Sequence, residues 1–448
     1  MKKILCLLLV FLASYGFAQQ DLSLYQLSGI PQNNLVNPSQ MPDDKIVVGF
    51  PALSSIKTSY NNKAFSVNEG LYVEDGTLYI DPETLVNTLS DKNYVNTQLQ
   101  NQWFLVGYRL KNHYFKVGVS EKASLDFAFP KTLFDFVLRG NAFYLGERVS
   151  ISDLKLNISN YREISLGYAT KLNEKWQVGG HVNLLFGLAN ITTQSSSLGI
   201  YTDPVNYDIT INGQMELNTS GLNSISGNTL DYLKTGSNFG LGLDLGATFT
   251  PNEKWEFSMS LLDLGYINWK NDLKTFTNNS SSFTLSGLDI KDFVNEGNLD
   301  GDSLFTEIRD SLENEFGFEE VEKKYTTYLS PKWYGGAKFS LNSKNRVYAT
   351  TTLQFYPTST RFGLSLGYEF DLNKNLGFTA NYSIFNNAFT NFGLGLRLRA
   401  GPVQIYALSD SMLSSFNLFN YRSIHFRFGI NLLFGEVQSN ARVKNNLL

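Results

Sequence analysis

Apolar and polar side chains alternate with a period of two through much of the chain. From Asn238 to Thr250 the odd positions are Phe239, Leu241, Leu243, Leu245, Ala247 and Phe249, against Gly240, Gly242, Asp244, Gly246 and Thr248. Arg361 to Asp371 sets Phe362, Leu364, Leu366, Tyr368 and Phe370 against Gly363, Ser365, Gly367 and Glu369. Asn391 to Ala400 repeats the pattern, with Phe392, Leu394, Leu396 and Leu398 against Gly393, Gly395, Arg397 and Arg399. A further run starts at Phe115 and keeps its phase to Phe129, broken at Glu121. Successive strand side chains point to opposite faces, so each run is a strand with one apolar and one polar face. Runs of about ten such residues suit a tilted strand crossing a bilayer.

Soluble antiparallel sheets alternate too, and the connections separate the cases. Short polar turns fall at Leu172–Lys175, Pro251–Lys254, Asn342–Asn345 and Leu372–Asn375, whereas long irregular segments occupy 61–101, 191–237 and 268–331. Short turns on one side and long loops on the other are how outer-membrane barrels are built. The resulting fold is all-β: a transmembrane antiparallel up-and-down barrel of about fourteen strands. Its strands begin near Leu53, Gln102, Tyr114, Tyr161, Trp176, Asn238, Trp255, Lys332, Arg346, Arg361, Leu376, Asn391, Val403 and Ser423. Residues 205–217 also alternate. They are expected as a hairpin within a loop, and counting them into the wall would give sixteen strands. Trp176, Trp255 and Trp333 are expected beside the short turns as an interfacial girdle. The last strand, with Ile424, Phe426, Phe428, Ile430, Leu432 and Phe434 on one face, resembles the C-terminal assembly signal of barrel proteins.

Composition supports the same surface. The chain has 34 Phe, 24 Tyr and 36 Gly, yet only 42% hydrophobic residues and a slightly negative mean hydropathy, as expected when apolar groups are confined to one face of each strand. Lys2 and Lys3, the apolar run Ile4–Ala13 and the small-residue site Gly16-Phe17-Ala18 read as an export signal over 1–18. Residues 19–44 then form a periplasmic or plug segment, 45–434 the barrel and 435–448 a tail. Cys6 lies inside the signal, so the mature chain offers no disulfide and no thiolate. Net charge is −4, or −6 once Lys2 and Lys3 are removed, and gives no electrostatic case for nucleic acid.

If the apolar face meets lipid, the polar face lines a lumen. Asp244, Glu369, Asp371, Arg397, Arg399, His425 and Arg427 then point inward. Glu369 and Asp371 lie opposite Arg397 and Arg399 in sign, near the turn ends of their strands. Two readings of these charges stand: a wet, selective constriction, or a lattice that fills the barrel and ties down the N-terminal segment. Catalysis has little support, because the three His (113, 181 and 425) sit in no nucleophile elbow, phosphate loop or zinc motif.

Residues 289–324 stand apart. They are acidic, and Phe305, Ile308, Leu312 and Phe316 recur at helical spacing, which predicts a helical loop insertion. Within them Glu296, Asn298, Asp300, Asp302 and Glu307 approach the EF-hand pattern, with Gly301 at the turn and Glu307 as the bidentate ligand, making Ca2+ a candidate there. Glu296 stands where Asp is the rule.

Short motifs carry a family resemblance. Ile30-Pro31-Gln32-Asn33-Asn34, Asn37-Pro38, Gly49-Phe50-Pro51 with Ser54-Ser55, and Leu262 to Trp269 resemble uncharacterised outer-membrane barrels of Bacteroidota. That family is similar in build to fatty-acid-transporter-type barrels and to barrels linked to type IX secretion and gliding. The resemblance implies a fold and an outer-membrane compartment but no substrate. Two functional expectations follow: a porin-like passage for small or hydrophobic solutes, or a structural docking component whose long loops hold other envelope proteins.

Overall fold

The computed structural model describes residues 21–66, 69, 71–74, 77–222, 238–278, 282–285, 318–385, 388–412 and 423–436. Fourteen strands make the barrel wall among these residues. They are β1 (Asp44–Gly49 and, after a break, Ser55–Asn62), β2 (Lys92–Leu110), β3 (His113–Pro130), β4 (Lys155–Lys171), β5 (Trp176–Ser196), β6 (Asn238–Phe249) and β7 (Trp255–Trp269). The wall continues through β8 (Lys332–Ser340), β9 (Asn345–Phe355), β10 (Thr360–Asn373), β11 (Leu376–Phe385), β12 (Ala388–Ala400), β13 (Val403–Ser409) and β14 (Ser423–Glu436). Each pairs antiparallel with its sequence neighbours. β14 returns to β1, with Ile46 opposite Phe434 and Ile56 opposite Phe428. The sheet therefore closes and leaves no free edge, the condition for strands in a medium that cannot hydrogen-bond to them.

The four short turns share one local cause. In each, the Asn side chain accepts two backbone N–H groups: Asn173 from Lys175 and Trp176, Asn252 from Lys254 and Trp255, Asn342 from Lys344 and Asn345, and Asn373 from Asn375 and Leu376. The amide replaces ladder partners that the reversing backbone loses. The β12–β13 reversal is tighter. Ala400 pairs with Val403, and Gly401 takes φ 59°, which a residue with a Cβ rarely adopts.

The alternation seen in the sequence is the alternation of the wall. Phe239, Leu241, Leu243 and Leu245 are exposed outward, while Asn238, Gly240, Gly242 and Asp244 are buried inward. Among the described residues no helix is long and apolar enough to cross a membrane, so the apolar surface belongs to strands. Trp176 and Trp255 stand beside short turns and stack on Phe249 and Phe257. Trp333 does not. It lies at the opposite end of β8, which runs from its long connection down to the turn at Asn342, and so is no part of a turn-side girdle.

Several expected boundaries move. β2 starts at Lys92, not near Gln102, and β4 at Lys155, not near Tyr161, because these strands continue pairing past the rim. The sixteen-strand count fails, and so does the simple hairpin at 205–217. Ile209–Asn212 pairs with Gly199–Thr202 in a side sheet completed by Arg148–Ser150 and Ser282–Leu285. Met215–Ser220 leaves that sheet and pairs with the upper end of β5 and with Leu273–Asn278, extending the wall above the rim. Phe318–Val321 is a strand on Leu273–Asn278 rather than part of a helix. The helical stretch 305–316 and the calcium candidates Glu296, Asn298, Asp300, Asp302 and Glu307 lie outside the described residues.

The outward face makes a measurable demand. Leu243→Arg, near the middle of β6, is expected to lower the free energy of unfolding from liposomes by about 2–4 kcal/mol. A loss near zero would mean that this face does not meet hydrocarbon.

Candidate functional site

The lumen is filled from inside by the chain's own N-terminal segment. Residues 21–41 run within the barrel as a helical turn, Leu22–Gln26, then a 3-10 turn, Pro31–Leu35. Leu22, Leu24, Tyr25, Leu27, Ile30 and Val36 pack with Leu262, Tyr334, Tyr406 and Leu408 of the wall. The wall accepts the plug's backbone where it has no side chain: a Cβ on Gly179 would strike Pro38 O, and one on Gly246 would strike Asn37 Oδ1.

Three groups of polar contacts hold this segment. In the first, Asp21 receives Lys57 Nζ (2.8 Å), Arg427 Nε (2.8 Å) and His425 Nε2 (3.2 Å). Asp410 accepts the N–H groups of Leu22 (2.9 Å) and Ser23 (2.7 Å), and lies 3.4 Å from His425 Nδ1. His425 thus sits, fully buried, between two carboxylates. Burial by itself would raise the Asp21 carboxyl, but Arg427, Lys57 and His425 hold it well below the usual carboxylate range.

The second group lies toward the short turns. Buried Glu369 accepts the Ser28 N–H (2.6 Å) and pairs with Lys338 (3.4 Å) and Arg346 (3.3 Å). Lys338 also donates to Gln26 O (2.5 Å), and Arg346 to Asp371 (2.8 Å). Asp371 in turn takes Arg397 (2.8 Å), whose guanidinium lies against Gly29, and Arg399 pairs with Asp44 (2.9 Å). The third group is centred on His181, which contacts Asn34 Oδ1 (2.9 Å) of the plug and Asp244 (3.1 Å) of the wall.

All seven charged residues expected in the lumen therefore point inward, six of them in the first two groups and Asp244 in the third. Asp371 meets Arg397 as their opposite signs suggested. Glu369 instead takes Lys338 and Arg346, and Arg399 takes Asp44, partners that sequence reading did not name.

Above the plug, toward the long connections, lies a cavity of about 120 Å³. On its wall Lys122 bridges Glu163 (2.7 Å) and Asp263 (3.3 Å), and Lys332 pairs with Asp263 (2.8 Å). Asp126 pairs with Arg361 (2.7 Å), whose guanidinium stacks on Tyr94 and Tyr356. None of these was singled out from the sequence. Lys122 and Asp126 were within reach, because the even positions of β3 face inward throughout. Asp263 was not. Between the pairs Leu243–Leu264 and Leu245–Leu261 a bulge on β7 sets Leu262 and Asp263 opposite the single Asp244, and Asp263, at φ 57°, turns inward beside Leu262 and donates its N–H to Asp244 (2.7 Å).

Residues 38–410 match the family of unknown function DUF5723. The chain belongs to that family. No protein of curated function matches it. Among solved structures it is similar to the Ralstonia pickettii toluene transporter TbuX at 9% identity, covering 90% of this chain and 94% of that one, with a TM-score of 0.44. It is similar to a Pseudomonas aeruginosa FadL homologue at 10% identity, covering 94% and 100%, with a TM-score of 0.41. The translocator domain of the autotransporter NalP from Neisseria meningitidis matches at 9% identity over 92% and 95%, with a TM-score of 0.33.

The anchors predict how the plug responds to change. Arg427→Met removes one partner of a buried ion pair, a loss that typically costs about 3–5 kcal/mol. Amide exchange over 21–41 is expected to quicken while β3 and β4 keep their protection; unchanged exchange would remove Asp21 from the anchoring role. The pH dependence follows from the depressed Asp21 carboxyl. Its stabilisation is complete above the ordinary carboxylate value of about 3.9 and is lost only as pH falls through the lower, docked value. Plug protection due to Asp21 is therefore expected to hold from neutral pH down to about pH 4, and its disappearance in an exchange titration above that value would contradict the pairing.

Proposed function

We propose that this DUF5723 member is a plugged outer-membrane passage for a small solute, with short turns in the periplasm and long connections outside, in the cell envelope of a Bacteroidota bacterium. The observation that carries the reading is the plug itself. Residues 21–41 occupy the periplasmic half of the lumen, held to the wall by an apolar cluster and by discrete ion pairs and hydrogen bonds, while a polar cavity remains on the outer side. A segment that contributes no strand to the sheet can leave without breaking the wall's ladder. The closed wall needs no plug for its own hydrogen bonds, because each strand pairs with two others.

A second reading has one feature in its favour. Beside the side sheet, Val137, Phe143 and Val205 are 70%, 69% and 85% exposed, and apolar groups presented there suit the capture of another envelope protein.

Conductance in planar bilayers tests the passage. The intact protein is expected to be closed, and a variant lacking 21–41 to conduct in discrete steps. Equal conductance of the two, in either state, would overturn the gating role of the segment.

A further inference from the structure

We infer that the outer cavity binds an uncharged, polyhydroxylated solute of about monosaccharide size. This deepens the passage reading by naming the class of solute, and rests on it only for the direction of travel.

The first step concerns charge. The cavity wall carries many ionisable side chains, but each is already engaged. Lys122 and Lys332 share Asp263, and Lys122 also takes Glu163. Lys57 and Arg427 are held by Asp21. Asp126 is held by Arg361, and Asp244 by His181, Asn183 and the Asp263 N–H. A charged ligand would have to break one of these pairs inside a poorly hydrated space, leaving the abandoned partner buried and alone. The site therefore selects against both anions and cations.

The second step concerns what is left to bind with. Asn96 and Asn157, whose Oδ1 atoms accept no hydrogen bond from another protein group, line the cavity with Gln98, Ser124 and Ser159. Neutral amide and hydroxyl side chains around the cavity match a ligand carrying several hydroxyls. Tyr161, packed on Leu185, Ile267, Trp269 and Leu273, also lines the cavity.

The test uses the full mature chain in detergent micelles and four solutes of closely similar size or simpler shape: glucose, glucuronate, glucosamine and toluene. Saturation-transfer NMR reads weak binding directly. Glucose is expected to bind saturably, at least tenfold more tightly than glucuronate, glucosamine or toluene, and to weaken at least tenfold in Asn157→Leu. Folding of each variant is checked by heat-modifiable gel migration, and Lys122→Met supplies an independent arm. That change takes from Glu163 its cation and leaves Asp263 with Lys332 alone, so glucosamine binding is expected to rise at least tenfold relative to glucose. Tighter binding of toluene or of either ion by the unaltered protein would overturn the inference. So would glucose binding that ignores Asn157→Leu, or glucosamine binding that ignores Lys122→Met. Glucose binding without conduction by the protein lacking 21–41 would instead defeat the passage reading and leave the site intact.

Discussion

Everything in this structure depends on closing a sheet whose outward face is apolar. Hydrocarbon offers no partner to a backbone N–H or C=O, so β14 must return to β1 and every strand must be paired on both sides. Closure then creates an interior. With fourteen strands that interior is too wide for the wall's own side chains to fill. The N-terminal segment supplies the missing volume with Leu22, Leu24, Tyr25 and Leu27, and it meets the buried charges of the wall with Asp21, Ser28 and Asn34.

The interior charges make sense only together with that segment. Arg427, Lys57 and His425 converge on one carboxylate that arrives from outside the wall, and Glu369 spends its oxygens on Ser28. The reading of the lumen charges as a lattice that ties down the N-terminal segment describes this geometry better than a bare selective constriction. The two are compatible in one respect: a lattice of discrete pairs beneath an unfilled polar cavity can serve as a latch below it. Membership of DUF5723 adds no chemistry to this, and the polarity of the cavity is a property of these residues alone.

The irregular features of the wall sit where plug and cavity need them. β1 is broken at residues 50–54, and Ser54, at the end of that break, gives its carbonyl to Gln32 of the plug and to Tyr406. The bulge on β7, with Asp263 left-handed, puts two consecutive side chains, Leu262 and Asp263, on the lumen side. One then packs on the plug and the other ties Lys122 to Lys332. A regular ladder would have sent one of them into the outer face.

Period-two alternation determined the fold class and the inward direction of Asp244, Glu369, Asp371, Arg397, Arg399, His425 and Arg427, and the spacing of short polar turns gave about fourteen strands. These follow from the sequence because pleat direction and turn chemistry are local: a residue's face is set by its position in its own strand, and each short turn by a few consecutive polar residues. Strand ends that run past the rim, such as Lys92–Asn101, were illegible because above the rim both faces meet water or protein and the alternation fades. The partners of the charges, the fate of Met215–Ser220 and the inward turn of Asp263 were decided by the tertiary structure alone. Each depends on which distant segment the closed wall brings within about 3 Å, and that distance is set by barrel curvature, bulges and the path of the plug, none of which leaves a periodic trace in the chain.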